Sequence, residues 1–268
     1  MYKDILVHLD GGARDIVRIN AAMGVAKRFG ARLTGLFARS ENQGLAVIAR
    51  RGSDAFEAAA SASEKLFTEA CGAQNLVTRW WRLEHGEQTH VLAETTVAAR
   101  FHDLTILGQH HDGKDAPDDL IEQVMLQSGR PVLILPSVDA FPKIGGNVML
   151  AWNGGREASR ALADAQPFLE QAETVEIVSV RAQARPQDTK LPPLSVIDHL
   201  HQHGAKVTRE VLAGEDIGVM DLLLSRAFDQ GADLLVMGGH GGYHLPFFKG
   251  AGTRHILKHM TLPILMSH

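Results

Sequence analysis

The chain has 268 residues, enough for one large domain or two of about 130, and its 45% apolar and 22% charged content is that of an ordinary globular protein. A net charge of -4 and a pI near 6.4 leave no basic footprint for nucleic acid or an anionic membrane. The single cysteine, Cys71, excludes an intrachain disulfide framework or a cysteine-rich metal site, and no apolar run approaches the roughly 20 residues of a membrane span. With an N-terminus that reads as a strand and not as a signal peptide, the expected location is the cytoplasm.

Lys3 to Leu9 predicts a strand that ends at Asp10-Gly11-Gly12, followed by a helix with Ile16, Ile19, Met23 and Ala26 at helical spacing. Strands follow at Leu33 to Ala38 and Val77 to Leu83, with an alanine-rich helix from Ser53 between them. A helix from about Thr89 to Arg100 leads to the Leu104–Gly108 strand, and Pro131 to Leu135 is the last strand before Pro136, Pro142 and Gly145-Gly146 break the pattern. The pattern then repeats. Asn147 to Trp152 precedes Asn153-Gly154-Gly155, and the next helix carries Ala158, Ala161, Leu162 and Ala165 at the same spacing. Thr174 to Val180, Lys206 to Val211, a helix at Val219 to Asp229, Leu234 to Gly238 and Pro263 to Met266 complete the second copy. The first copy carries about a dozen extra residues, placed between Ser40 and Cys71. Alternating strands and helices with continuous apolar strands imply parallel sheets covered on both faces, hence two tandem doubly wound α/β domains, 1–140 and 145–268.

The stretch from Asp233 to Ile256 concentrates the signal. An apolar run, Leu234-Leu235-Val236-Met237, meets the glycines Gly238-Gly239-His240-Gly241-Gly242, and a helical pattern resumes near Gly252-Thr253. Glycines let backbone N–H groups approach a ligand closely, and a helix start aims further N–H groups and its positive dipole end at the same place. Such geometry binds anions. It is neither a P-loop nor a Rossmann fingerprint, and it can equally be a connection that only packs strand to helix.

The repeat, the strand order and the glycine stretch together resemble the universal stress proteins in their tandem, two-domain form. Nucleotide-binding members carry G-x2-G-x9-G-[S/T] after the fourth strand. Gly238 and Gly241 match the first two glycines; Gly250 follows after eight residues, and nine would land on Ala251, before Gly252-Thr253. The resemblance implies an adenine nucleotide alpha hydrolase-like sandwich in each half. It also implies a cofactor-binding site in the second half made by Asn153, Val180, Gly238, Gly241, Gly250, Ala251, Gly252 and Thr253. Its ligand would be ATP, or ADP or AMP, with Mg2+ alongside. Asn153 stands where the family usually has Asp, and an amide can still accept one hydrogen bond and donate two. In the first half Asp10 is the expected acid, yet no second glycine follows Gly108, and Asp112, Asp115, Asp118 and Asp119 would repel phosphate. That site reads as degenerate, with Asp10 capping its turn.

Family members dimerise through the last strand, so the resemblance implies an internal pseudo-dimer between Pro131–Leu135 and Pro263–Met266, extended by homodimerisation. No nucleic acid or membrane is expected as partner. His199, His201 and His203 read as a solvated helix face and not as a metal site. Near the loop only His240, His244, Lys249, Thr253, Arg254 and His255 offer chemistry, with no carboxylate among them, so no catalytic residue is assigned. The expectation is a stress-response sensor or regulator; a weak ATPase or phosphotransferase and a ligand-free interaction scaffold stay open.

Overall fold

The computed structural model describes residues 1–41, 50–110, 115–181, 195–213, 218–240 and 250–268. They form two compact units, Met1–Ile144 with Ser267 and Gly145–Met266 with His268. In the first, β1 (Asp4–Leu9), β2 (Arg32–Phe37), β3 (Thr78–Arg82), β4 (Leu104–Gly108) and β5 (Val132–Leu135) alternate with α1 (Asp15–Phe29), α2 (Asp54–Gly72), α3 (Gln88–Arg100) and α4 (Leu120–Ser128). In the second, β6 (Asn147–Ala151), β7 (Thr174–Arg181), β8 (Val207–Ala213), β9 (Leu234–Gly238) and β10 (Ile264–Ser267) alternate with α5 (Arg156–Glu170), α6 (Val196–Gln202), α7 (Val219–Asp229) and α8 (Ala251–His259).

Strand order is β3-β2-β1-β4-β5 in the first unit and β8-β7-β6-β9-β10 in the second. Pairing between β1 and β2, β1 and β4, and β4 and β5 is parallel, as it is between β6 and β7 and between β6 and β9. The central strands are buried because helices cover both faces, and this is why they read as unbroken apolar runs: Ile5, Leu6, Val7, Leu234, Leu235 and Val236 are fully buried. The edge strand β3, Thr-Arg-Trp-Trp-Arg, has only one face to cover. Trp80 packs on the Phe37–Phe56–Ala60 cluster while Trp81 stays 38% exposed.

Of the extra residues expected between Ser40 and Cys71, 42–49 lie outside the described residues; the rest form α2, 19 residues long against 7 for α6. Ser53 caps α2, its Oγ accepting the Phe56 N–H at 3.1 Å. One element departs from its period. Ile16, assigned to the buried stripe of α1, is 37% exposed, while Asp15 and Arg18 are buried in that helix. In α5 all four expected positions, Ala158, Ala161, Leu162 and Ala165, are buried.

Candidate functional site

In each unit the sheet order reverses beside the first strand, between β1 and β4 and between β6 and β9. The crevice outside the carboxyl ends of such strands is where open α/β sheets hold ligands. In the second unit Ala151 pairs with Val178 and Leu150 with Val236, so the Trp152-Asn153 turn, the Val178–Val180 end of β7 and Gly238 converge there. Asn153 builds its own turn: its Oδ1 accepts the Gly155 N–H at 2.9 Å, with Gly154 at φ 73°. A cavity of about 280 Å³ opens between these residues, α7 and the start of α8.

The glycines beside it have separate reasons. A β-carbon on Gly238 would sit 2.5 Å from the carbonyl carbon of Glu157 and 2.7 Å from the Ala158 nitrogen, so glycine is needed there for β9 to pass the first turn of α5. Gly250 caps α8 at φ 83°, and its β-carbon would fall 2.5 Å from His240 Nε2. His240 itself holds φ 52°, an uncommon conformation for a side-chain-bearing residue, and its N–H donates to Thr253 Oγ1 at 2.8 Å. Thr253 is consequently buried, at 4% exposure, and locks the start of α8 onto the end of β9. His255 Nε2 lies 2.6 Å from Asp221 Oδ1, tying α8 to α7.

Of the eight residues assigned from sequence, Asn153, Val180, Gly238, Gly250, Gly252 and Thr253 line this one cavity. Ala251 opens α8 and is exposed, and Gly241 lies outside the described residues, as do His244 and Lys249. The remaining walls were missed. Trp152, Met220, Leu223 and Met237 make them apolar, and Glu157 adds a carboxylate. The signal for Glu157 lies away from the glycine stretch, in the helix start after Asn153: it is four residues beyond that turn, on the first turn of α5.

The first unit makes the same turn, Asp10 Oδ1 accepting the Gly12 N–H at 2.9 Å, and thus caps it as expected. Asp10 also accepts Arg18 Nη2 at 2.5 Å, and Arg18 reaches Asp15 as well. Asp15 in turn accepts the N–H groups of Asp10 and Gly11 at 3.2 and 3.0 Å and the Ser63 hydroxyl at 2.6 Å. The guanidinium lies against Gly108, Nη1 being 2.8 Å from where a β-carbon would stand. His8 Nε2 is 2.7 Å from the carbonyl oxygen of Ala38, the residue at the register of Val180. Side chains of the unit itself therefore take up part of the switch point. Counting from the two turns, Arg18 and Asp15 correspond to Ala161 and Ala158, and His8 to Ala151.

Burial pushes the Asp10 carboxyl up, but the charge and hydrogen bond of Arg18 outweigh it and hold the group far below the usual carboxylate range. Burial, then the Arg18 charge, pushes the His8 imidazole below its ordinary 6.5. A smaller cavity of about 170 Å³ remains at this switch point all the same, lined by His8, Asp10, Arg18 and Gly108 and reaching Arg14, Gln109 and Pro136 towards β5. Two of the four loop acids are engaged: Asp115 pairs with Arg39 at 2.7 Å, and Asp118 lies 3.3 Å from His110. Asp119 precedes α4, and Asp112 is outside the described residues.

Among the described residues no group of three or more His, Cys, Asp or Glu could hold a metal ion; the rings of His199 and His203, on α6 and its C-cap, lie 4.8 Å apart and tilted at 60°. No helix of the described residues is long and apolar enough to cross a membrane.

No family model matches the chain, and no curated protein matches it. Solved structures do. A universal stress protein from Archaeoglobus fulgidus DSM 4304 superposes with a TM-score of 0.73 at 15% identity, covering 98% of this chain and 95% of its own. A functionally unknown protein from Pseudomonas aeruginosa PAO1 superposes at 0.62 with 15% identity, over 99% and 92%. Over nearly its whole length this chain has the fold of the universal stress proteins.

Proposed function

We propose that this is a stress-response protein that binds an adenine nucleotide, ATP first, with ADP or AMP as the alternatives, in the cavity of its second unit, and acts as a sensor or regulator. The observation that carries the reading is the convergence at the switch point: a cavity of about 280 Å³ with Asn153, Glu157 and Thr253 among its described polar side chains, against a first unit whose equivalent cavity is narrower and lined by the Asp10–Arg18 pair. Small-molecule sites have this make-up, mostly apolar walls with few placed polar groups. Val180 supplies an edge of backbone for the base, and the uncapped N-terminus of α8 offers N–H groups towards an anion. Glu157 is the one carboxylate among the described lining residues, so Mg2+ carried in with ATP takes its other ligands from phosphates and water.

Calorimetric titration of the purified chain with ATP and Mg2+ tests this. One site per chain is expected, lost in Gly252→Trp, which fills the cavity beside Met220, and kept in Asp10→Asn. No heat at millimolar ATP overturns it. Pairing through the terminal strands, within one chain or between two, belongs to the same reading, and light scattering across a concentration series reads the homodimer.

A further inference from the structure

Glu157 stands apart from the rest of the cavity wall. Its side chain is only 20% exposed, and its Oε2 lies 3.5 Å from the β-carbon position of Gly155, at the Asn153 turn. Among the described residues the cation paired with it is Arg156 Nη1 at 4.0 Å, on a side chain 76% exposed, a pairing too long and too solvated to hold the carboxylate. Of the described side chains that line the same cavity, Val178, Val180, Met220, Leu223 and Met237 have no hydrogen to donate to a carboxylate. A partly buried acceptor of this kind wants donors.

The other polar end of the site is partly engaged. Thr253, the residue that would meet a phosphate, is buried and accepts the His240 N–H. A phosphate placed against Glu157 would be repelled. Two adjacent hydroxyls would not be: a carboxylate has two oxygens, each an acceptor only, and a vicinal diol offers two O–H donors at matching spacing. Acidic side chains take ribose hydroxyls in this way in other α/β nucleotide sites.

Resting on the nucleotide reading above, we propose that Glu157 binds the 2′- and 3′-hydroxyls of a ribonucleoside whose base lies among Trp152, Val180 and Met237. The site then selects its ligand by base and ribose, with phosphate contributing second. Calorimetry of the full chain with adenosine, 2′-deoxyadenosine, ATP and 2′-deoxy-ATP, each with and without Mg2+, tests it. The expected result is a preference of tenfold or more for the ribose form, in adenosine as in ATP and without Mg2+, as fits loss of a hydrogen bond to a charged group. Glu157→Gln, which keeps the shape, shrinks that preference to under threefold while leaving the thermal midpoint within about 2 °C. Equal affinity for ribose and deoxyribose forms overturns the assignment and leaves nucleotide binding standing. A Glu157→Gln effect confined to ATP with Mg2+ overturns it in favour of a metal ligand. Binding of none of the four ligands removes the nucleotide reading and this assignment with it.

Discussion

After its first strand each unit makes the same turn, with a side-chain oxygen of Asp10 or Asn153 accepting an N–H two residues on at 2.9 Å, and each turn launches a 15-residue helix. The next eight residues separate them. In α1 the positions facing the switch point are Asp15 and Arg18; in α5 they are Ala158 and Ala161. The first choice takes up part of the crevice with an ion cluster that satisfies itself and leaves about 170 Å³, against about 280 Å³ beside the alanines. A shared backbone thus carries a narrower, charged cavity and a wider one, and the two side chains on one helix face account for the difference in charge.

The largest effect should come from breaking the cluster. Arg18→Ala leaves Asp10 and Asp15 buried without their cation, and about 3–5 kcal/mol of stability should be lost in urea unfolding. Adding Asp15→Ala and Asp10→Asn, which gives α1 the pattern of α5, should recover more than half of that loss, because it removes the stranded charges. If the triple variant is no better than the single one, the cluster's cost lies in packing and not in charge.

Transplanting the cluster is the converse. Ala158→Asp with Ala161→Arg in the second unit should abolish nucleotide binding in calorimetry at a cost of about 1–3 kcal/mol for overpacking. Retained binding would show that the plug is not what closes the first unit.

Acid should expose the same difference. The folded-state value of His8 is lowered, so below 6.5 the unfolded chain takes up a proton that the folded unit refuses; stability falls as pH falls through that window. His102, also lowered by burial, adds to this. Asp10, depressed in the folded state, contributes stability above 3.8 that is lost on further acidification. Thermal midpoints should therefore drop between pH 7 and pH 5, and His8→Gln should flatten that drop. Amide hydrogen exchange should place the early opening in β1 and β2.

Two smaller effects follow. Burial pushes the Cys71 thiol up to about 11, so maleimide labelling at neutral pH should be slow in the native protein and fast in urea. Asn153→Asp keeps the turn, as Asp10 shows, and should change stability by less than about 0.5 kcal/mol. Any change in nucleotide affinity then reports on the amide itself.

Much of this was legible in the chain. Unbroken apolar runs marked buried parallel strands, and the recurrence of Asp10-Gly-Gly as Asn153-Gly-Gly marked the repeat. Six of the eight assigned site residues line one cavity because the ends of β6, β7 and β9 must meet in a parallel sheet with this order. Two features were not legible, each for its own reason. Ile16 was given to the core and Arg18 ignored because helical period ranks residues by hydropathy, whereas a buried arginine is stable only beside carboxylates whose positions the period does not supply. Glu157, the second residue of α5, is 81 residues from Gly238 in the chain, and only the sheet brings the end of β9 against it.

The sequence by itself determined the elements, their order and the doubling, since these follow from local propensity and from the period of apolar residues. Only the tertiary structure decided how each switch point is lined. Asp10, Asp15 and Arg18 are close in the chain, but whether they turn inwards as a cluster depends on Ser63, 48 residues beyond Asp15, and on the sheet that buries them, and such contacts exist only once helix and sheet have packed.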